Sequence, residues 1–206
     1  MMTKQSALVL GIGLVLVAGA GVLSLRALEE APAAPDVKKL ADQVSKQDWD
    51  TLSREGQKIA KKYDQLNDVM GVFKLRRPKT DETGTIGLGV GNKPGVILPD
   101  GIEAKILDLT KRIRKGDLDK NAADLKRLGE ITAAVAGIAL HKPSEKATMG
   151  GDAAIKKWEA YSKEMHDTSR EFIKSLEQKT PSAAQVKAAA EKLHDVCLAC
   201  HKDFRE

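Results

Sequence analysis

The chain is poor in aromatic residues: its 206 positions include only two tryptophans, two tyrosines and three phenylalanines. Strands favour aromatic and β-branched side chains, so this scarcity argues against a β-rich core. Lysine, glutamate, alanine, leucine and aspartate are abundant instead, as is usual for helices. The composition therefore predicts an all-α protein.

A strong imbalance of charge is also missing. The 34 basic residues are spread among 29 acidic ones, which leaves a formal net charge of +5. A nucleic-acid-binding surface needs a concentrated basic footprint, so no nucleic-acid partner is expected. The sequence also offers no paired general acid and base and no nucleophile constellation, and it has no metal-binding motif apart from one cysteine–histidine motif near the C-terminus. We therefore expect a protein that is not an enzyme.

One long uncharged run stands near the N-terminus, over Ser6–Leu25. Its twenty residues are long enough for a membrane anchor. Its glycines, and the small residues of Ala18–Ala20 and Ala31–Ala34, are instead typical of a cleaved export signal. Both interpretations stay open, and both send the remainder across the membrane. We expect residues 1–34 to be the signal peptide or anchor with a short linker, and residues 35–206 to form one domain.

Apolar residues recur at three- and four-residue steps and predict four long amphipathic helices. The patterned segments are 52–73, 118–139, 155–176 and 186–204. Asp117, Asp152 and Thr180-Pro181 mark the expected starts of the last three. A shorter pattern over 102–113 predicts one more helix. The sequence thus predicts an antiparallel four-helix bundle with an additional short helix.

Both cysteines belong to one motif near the C-terminus, Cys197-Leu198-Ala199-Cys200-His201. C-x-x-C-H is the attachment sequence for c-type haem. On a helix, the two cysteines and the histidine stand at i, i+3 and i+4 and share one face. Each thiol can add across one haem vinyl group, and the imidazole can bind the iron. We therefore predict one covalent haem c, attached through Cys197 and Cys200, with His201 as the proximal iron ligand.

Other interpretations of the motif stay open. A thioredoxin-like redox dithiol would stand near a βαβ pattern, whereas no strand pattern precedes this motif. A zinc site would need a fourth ligand; His194 is close in sequence, but a second C-x-x-C or an H-x3-H is missing. A structural disulfide would leave His201 without a role. The alternative to haem is accordingly a structural zinc or disulfide module.

A helical bundle with a single C-x-x-C-H motif near its end, followed by Phe204 and Arg205, resembles the cytochrome c′ family, the class II c-type cytochromes. Lys115–Asp117 and Trp158 add to the likeness, which covers about residues 102–205. The resemblance implies haem bound through the two cysteines, with the adjacent histidine as proximal ligand. It also implies a sixth iron position that is either occupied by a methionine of the first helix or left open behind an apolar residue.

Met70 is the candidate sixth ligand, because it lies on one stripe with Leu66 and Phe73 near the end of the first helical pattern. The alternative is a core methionine that fills space. Met165 has the same two interpretations. The choice matters, because a methionine ligand favours ferrous iron and electron transfer, whereas an open position favours the binding of small ligands.

The remaining histidines are not expected to bind the iron. We expect His141 in a loop at a helix end, His166 on the surface, and His194 at the surface or at the haem edge. Trp158 and Phe204 are expected to be core residues that touch the porphyrin without a chemical role of their own.

A glycine-rich segment over residues 84–95 interrupts the domain between the first two patterns. Within it, Gly87–Gly91 lack the spacing and the flanking strand and helix of a nucleotide-binding loop. We expect a loop over the haem edge or a flexible insertion. The basic residues of 74–79 either pair with haem propionates, dock an acidic redox partner, or form a solvated turn.

These observations predict a periplasmic mono-haem electron carrier, either soluble or anchored to the inner membrane by its N-terminal segment. The expected partners are redox proteins, and a homodimer is a further candidate assembly. The alternative function is that of a five-coordinate haem protein that binds nitric oxide or carbon monoxide.

Overall fold

The computed structural model describes residues 32–73, 102–113 and 115–204, and every regular element in these ranges is helical. The helices are α1 (Ala34–Ala41), α2 (Trp49–Ala60), α3 (Leu66–Met70), which a 3₁₀ turn over Gly71–Phe73 follows, α4 (Ile102–Lys111), α5 (Lys115–Ala139), α6 (Glu145–Met149), α7 (Gly151–Leu176) and α8 (Ala183–Phe204). The predicted all-α fold is confirmed.

Three predicted features fall outside the described residues: the uncharged run Ser6–Leu25, the basic residues of 74–79 and the glycine-rich segment 84–95. Arg205 also lies outside them. Among the helices that the structure does describe, none has the length and apolar character needed to cross a membrane.

Helices α5 and α7 run antiparallel and form the centre of the bundle. At one end, the Trp158 indole N–H donates to the Ala139 carbonyl at 2.7 Å. At the other end, Lys126 Nζ lies 2.7 Å from the Glu177 carboxylate, just beyond α7. Between these contacts, Phe172 is fully buried. Burying an aromatic or aliphatic side chain of this size contributes roughly 1.5–3 kcal/mol.

Helix α8 returns antiparallel to α7, and α4 packs against its other side. The Tyr161 hydroxyl donates to Asp203 at 2.7 Å near the end of α8, and Lys192 contacts Glu171 at 2.8 Å further back. Val186, Ala189, Ala190, Leu193, Val196 and Phe204 form the buried stripe of α8. The C-x-x-C-H motif is therefore held in a helix that neighbours fix on two sides.

Helix α2 crosses α5 at a pair of glycines. A Cβ atom on Gly56 would lie 2.2 Å from the Gly137 carbonyl oxygen, so only glycine permits the two backbones to approach this closely. The Asp48 side chain caps α2 by accepting from the Thr51 backbone N–H at 2.8 Å. This crossing fixes α2 on the bundle, and α3 follows after a short turn.

Gly56→Ala should lower the free energy of unfolding by about 3 kcal/mol, the upper end of the usual range for overpacking. The added methyl group would meet backbone atoms of Gly137, which cannot rotate away. Chemical denaturation of the full chain measures the loss. Gly116→Ala is the matched control, because a Cβ atom there meets nothing within 4 Å. Equal stabilities for the two variants would show that the crossing is looser than described.

The prediction of one long first helix over residues 52–73 is wrong, because this segment forms two separate helices. Helix α2 ends at Ala60, and a turn separates it from α3. Gln65 has extended backbone angles, and its backbone N–H donates to the Asp68 carboxylate at 3.2 Å, which completes a capping box. The apolar pattern stays in phase across this break, so periodicity alone did not indicate it.

Three helices begin one to three residues away from their predicted starts. Helix α5 begins at Lys115, before Asp117, and α7 begins at Gly151, before Asp152. Asp152 thus lies in the first turn, where its charge complements the helix dipole. Helix α8 begins at Ala183 rather than at Pro181, and the backbone N–H of Val186 bonds to the Ser182 carbonyl. Helix ends are the least certain part of any pattern-based prediction.

His166 is buried, contrary to the predicted surface position. The ring of Trp49, at the start of α2, covers it with a centroid separation of 4.7 Å. Desolvation lowers the pKa of His166, although the adjacent Asp167 carboxylate opposes this shift. His166 is one step off the main apolar stripe of α7. It is nevertheless buried, because this face of α7 contacts Trp49 of α2.

Candidate functional site

Helix α8 presents Cys197, Cys200 and His201 on one face, as the i, i+3, i+4 spacing predicts. All three side chains are half-buried. Leu198, between the cysteines, points away from this face and is 53% exposed. The three motif side chains are thus directed inward together, which is the arrangement that a single covalently attached group requires.

The motif face opens into a cavity of about 810 Å³, which also reaches Met70. The apolar and aromatic residues that line it are Leu66, Met70, Phe73, Ile106, Trp158, Met165 and Phe204. They come from α3, the following 3₁₀ turn, α4, α7 and α8. The structure therefore brings all four predicted site residues, Cys197, Cys200, His201 and Met70, to the same cavity.

Trp158 and Phe204 form an aromatic wall beside Cys200. Their ring centroids lie 5.5 Å apart in an edge-to-face arrangement, and both side chains are buried. Tyr161 continues the wall at 6.2 Å from Phe204. The expectation that Trp158 and Phe204 are core residues is confirmed. Their packing fixes the end of α8 and, with it, the motif.

Met70 and Met165 both line the cavity, and both are half-buried against the main core. Met70 ends α3, whereas Met165 stands in the middle of α7. Either thioether could serve as a soft ligand. The structure places the predicted ligand in the cavity and places its alternative there as well.

The two thiols lie in surroundings that favour their neutral form. Burial raises the pKa of Cys197 to about 12 and that of Cys200 to about 11. The negative charges of Glu103 and Asp203 act in the same direction. A redox-active dithiol has a lowered pKa and often stands at a helix N-terminus, whereas this motif ends α8. Both cysteines are free thiols.

Glu103, on α4, reaches His201 from outside the motif. Its Oε1 atom lies 3.5 Å from Nδ1 of His201, and it also lines the cavity. Glu103 belongs to no motif in the sequence and was not predicted as a site residue. Only the packing of α4 against α8 brings the two side chains together, and no local motif links positions so far apart in the chain.

The rim of the cavity is built from the segment after α5. The Lys142 ammonium donates to the Tyr63 carbonyl and, at 3.2 Å, to the Asp64 carbonyl. His141 lies 2.9 Å from the Ser53 hydroxyl, and burial lowers its pKa. His141 and Lys142 both line the cavity. Lys142 thereby fastens the turn that leads into α3, which carries Met70.

The predictions for two histidines have different outcomes. His141 lies in the turn two residues after the end of α5 at Ala139, so its predicted place in a helix-end loop is confirmed. His194 stands one turn before Cys197 and is half-buried, and its Nδ1 atom finds no hydrogen-bond partner among the residues that the structure describes. A role at the haem edge stays a prediction for His194.

The chemistry of the cavity fits a covalently attached haem. Its volume lies within the roughly 300–1,000 Å³ typical of cofactor and small-molecule sites. Two thiols and one imidazole share one wall, the thioether, aromatic and aliphatic side chains form an apolar part of the lining, and polar side chains such as Asn67, Lys142 and Glu145 complete it. Haem needs this combination of attachment points, an axial nitrogen and apolar surroundings.

Comparison of the chain with protein-family models, with curated proteins and with solved structures gives no match. The likeness to class II c-type cytochromes therefore depends on the C-x-x-C-H motif, on Phe204 and Trp158, and on the helical bundle, and it stays a prediction.

Proposed function

We propose that this chain is a mono-haem c-type cytochrome that carries electrons outside the cytoplasm. One observation carries the proposal: the C-x-x-C-H side chains and Met70, distant in sequence, line a single cofactor-sized cavity. A C-x-x-C-H sequence that occurred by chance would not be expected to line a cavity of this size. Haem bound there would supply a one-electron ferric–ferrous couple.

In this proposal each part of the chain has a separate task. Cys197 and Cys200 would hold the cofactor by thioethers, and His201 would offer a nitrogen to the iron. Trp158 and Phe204 would pack beside the cofactor next to Cys200. Met70 would offer a thioether from α3. A haem held in this way would supply one-electron redox chemistry, which suits a carrier.

The compartment is part of the same proposal. The uncharged run Ser6–Leu25 supports export, either as a cleaved signal or as a retained anchor. Attachment of haem to C-x-x-C-H is normally completed on the outer side of a bacterial-type membrane. N-terminal sequencing of the haem-loaded protein, after fractionation, distinguishes the cleaved form from the anchored one. A haem-loaded cytoplasmic form that retains Met1 would contradict this part of the proposal.

An optical spectrum of the natively matured, full-length protein tests the function itself. The proposal expects a Soret band and a low-spin spectrum with little response to carbon monoxide. A high-spin spectrum with ready carbon monoxide binding would support the gas-binding alternative. A colourless protein would overturn haem binding and leave the zinc or disulfide module.

A further inference from the structure

Glu103 lies beside His201 in the first turn of α4. Its carboxylate oxygen lies 3.5 Å from Nδ1 of the imidazole. Ile102 precedes it and Ile106 follows one turn later, and both are fully or almost fully buried where α4 packs on α8. The Glu103 backbone is therefore held, although its side chain is 47% exposed.

The ring nitrogen of His201 that faces Glu103 is Nδ1, so Nε2 is the nitrogen that can bind the iron. In a neutral imidazole the proton resides on the nitrogen that has an acceptor, and the other nitrogen keeps its lone pair. The Glu103 carboxylate lies at ion-pair distance from Nδ1 of His201, slightly longer than a usual hydrogen bond, and its negative charge favours the proton on that nitrogen and leaves Nε2 as the ligand atom. Carboxylates beside the second nitrogen of a metal-bound histidine orient the ring.

We propose that Glu103 is a positioning residue that orients His201 and lowers the reduction potential of the iron. This inference rests on the proposed haem-binding function. An axial imidazole beside a negative charge is a stronger electron donor and stabilises ferric iron relative to ferrous iron, because the higher charge gains more from a stronger donor. Glu103 therefore sets the potential through the imidazole, in addition to any effect of its charge through space.

A second variant is the control for the loss of one negative charge from the cavity lining. Glu145 also lines the cavity, at the start of α6, and contributes the same charge. Glu145→Gln removes a carboxylate from the cavity without removing the partner of His201. Glu103→Gln removes both the charge and the negative acceptor while keeping the shape of the side chain. Neither substitution changes buried packing, so both proteins should fold.

The experiment is a spectroelectrochemical titration of the natively matured, full-length wild type and both variants, with thermal unfolding measured in parallel. At a fixed ambient potential, Glu103→Gln should raise the ferrous-to-ferric ratio at least tenfold, which corresponds to about 59 mV for a one-electron couple. Glu145→Gln should change the ratio several-fold less. The unfolding temperatures of the two variants should agree closely, because a purely structural role would change stability rather than potential.

The outcomes for this inference differ from those for the function. A wild-type protein without a Soret band would overturn the haem proposal. A haem-loaded protein in which both glutamine variants shift equally, or in which Glu103→Gln matches the wild type, would overturn the role of Glu103 alone. A selective shift in Glu103→Gln at unchanged unfolding temperature supports it.

Discussion

Replacing both Cys197 and Cys200 by alanine should release the haem from the denatured chain completely. The wild type should keep its haem through acid–acetone extraction and denaturing gel electrophoresis, because thioether bonds survive both treatments. The double variant should hold haem at most weakly, through His201. Loss of the cofactor would also leave the cavity of about 810 Å³ without its apolar filling. We therefore expect the free energy of unfolding to fall by about 3 kcal/mol or more.

Leu198→Ala is the control for this experiment. Leu198 stands between the two cysteines but is 53% exposed, so its removal should change neither haem retention nor stability appreciably. The single variants Cys197→Ala and Cys200→Ala should each keep one thioether and remain coloured on the gel. Complete extraction of haem from the wild type would contradict covalent attachment, whatever the variants show.

The wall that holds the motif was predictable, because its determinants are local. The spacing of Cys197, Cys200 and His201 places them on one helical face, and α8 has this geometry. The apolar stripes of α5 and α7 likewise predicted long helices with the correct buried faces. Local periodicity thus gave the helices, their faces and the direction of the motif.

The opposite wall was harder to predict, because it depends on where the chain turns. Leu52, Ile59 and Met70 continue one periodic pattern, yet a turn after Ala60 separates α2 from α3. The capping box of Gln65 and Asp68 was visible in the sequence as Q-x-x-D, a weaker form of the usual signature. The turn changes the direction of the chain before Met70, and helical phase alone contains no such information.

Contacts between helices distant in sequence could not be read from any pattern. Glu103 meets His201 only because α4 packs on α8. His166 is buried where the Trp49 ring from α2 packs on it. A single apolar stripe predicts one neighbour for a helix, whereas α7 and α8 each have more than one. Electrostatic partners and second packing surfaces therefore require the assembled bundle.

Met70→Leu should convert a low-spin iron into a high-spin one, lower its reduction potential and accelerate carbon monoxide binding. The substitution nearly conserves volume and should cost less than about 1.5 kcal/mol in stability, so any spectral change reports the lost sulfur. Axial ligands tune haem potentials over a range on the order of 0.8 V, and a methionine thioether raises the potential by favouring ferrous iron. Optical spectra, a redox titration and carbon monoxide mixing measure the three effects.

Met165→Leu distinguishes ligation from packing, because Met165 is the second methionine of the same cavity and is also half-buried against the main core. If Met70 is the ligand, Met165→Leu should keep the low-spin spectrum and change the potential only slightly. A spin-state change in Met165→Leu alone would transfer the ligand role from α3 to α7. A wild type that is already high-spin and binds carbon monoxide readily would leave both methionines as packing residues. The apolar lining of the cavity would then serve the capture of a small diatomic ligand at an open iron position instead of electron transfer.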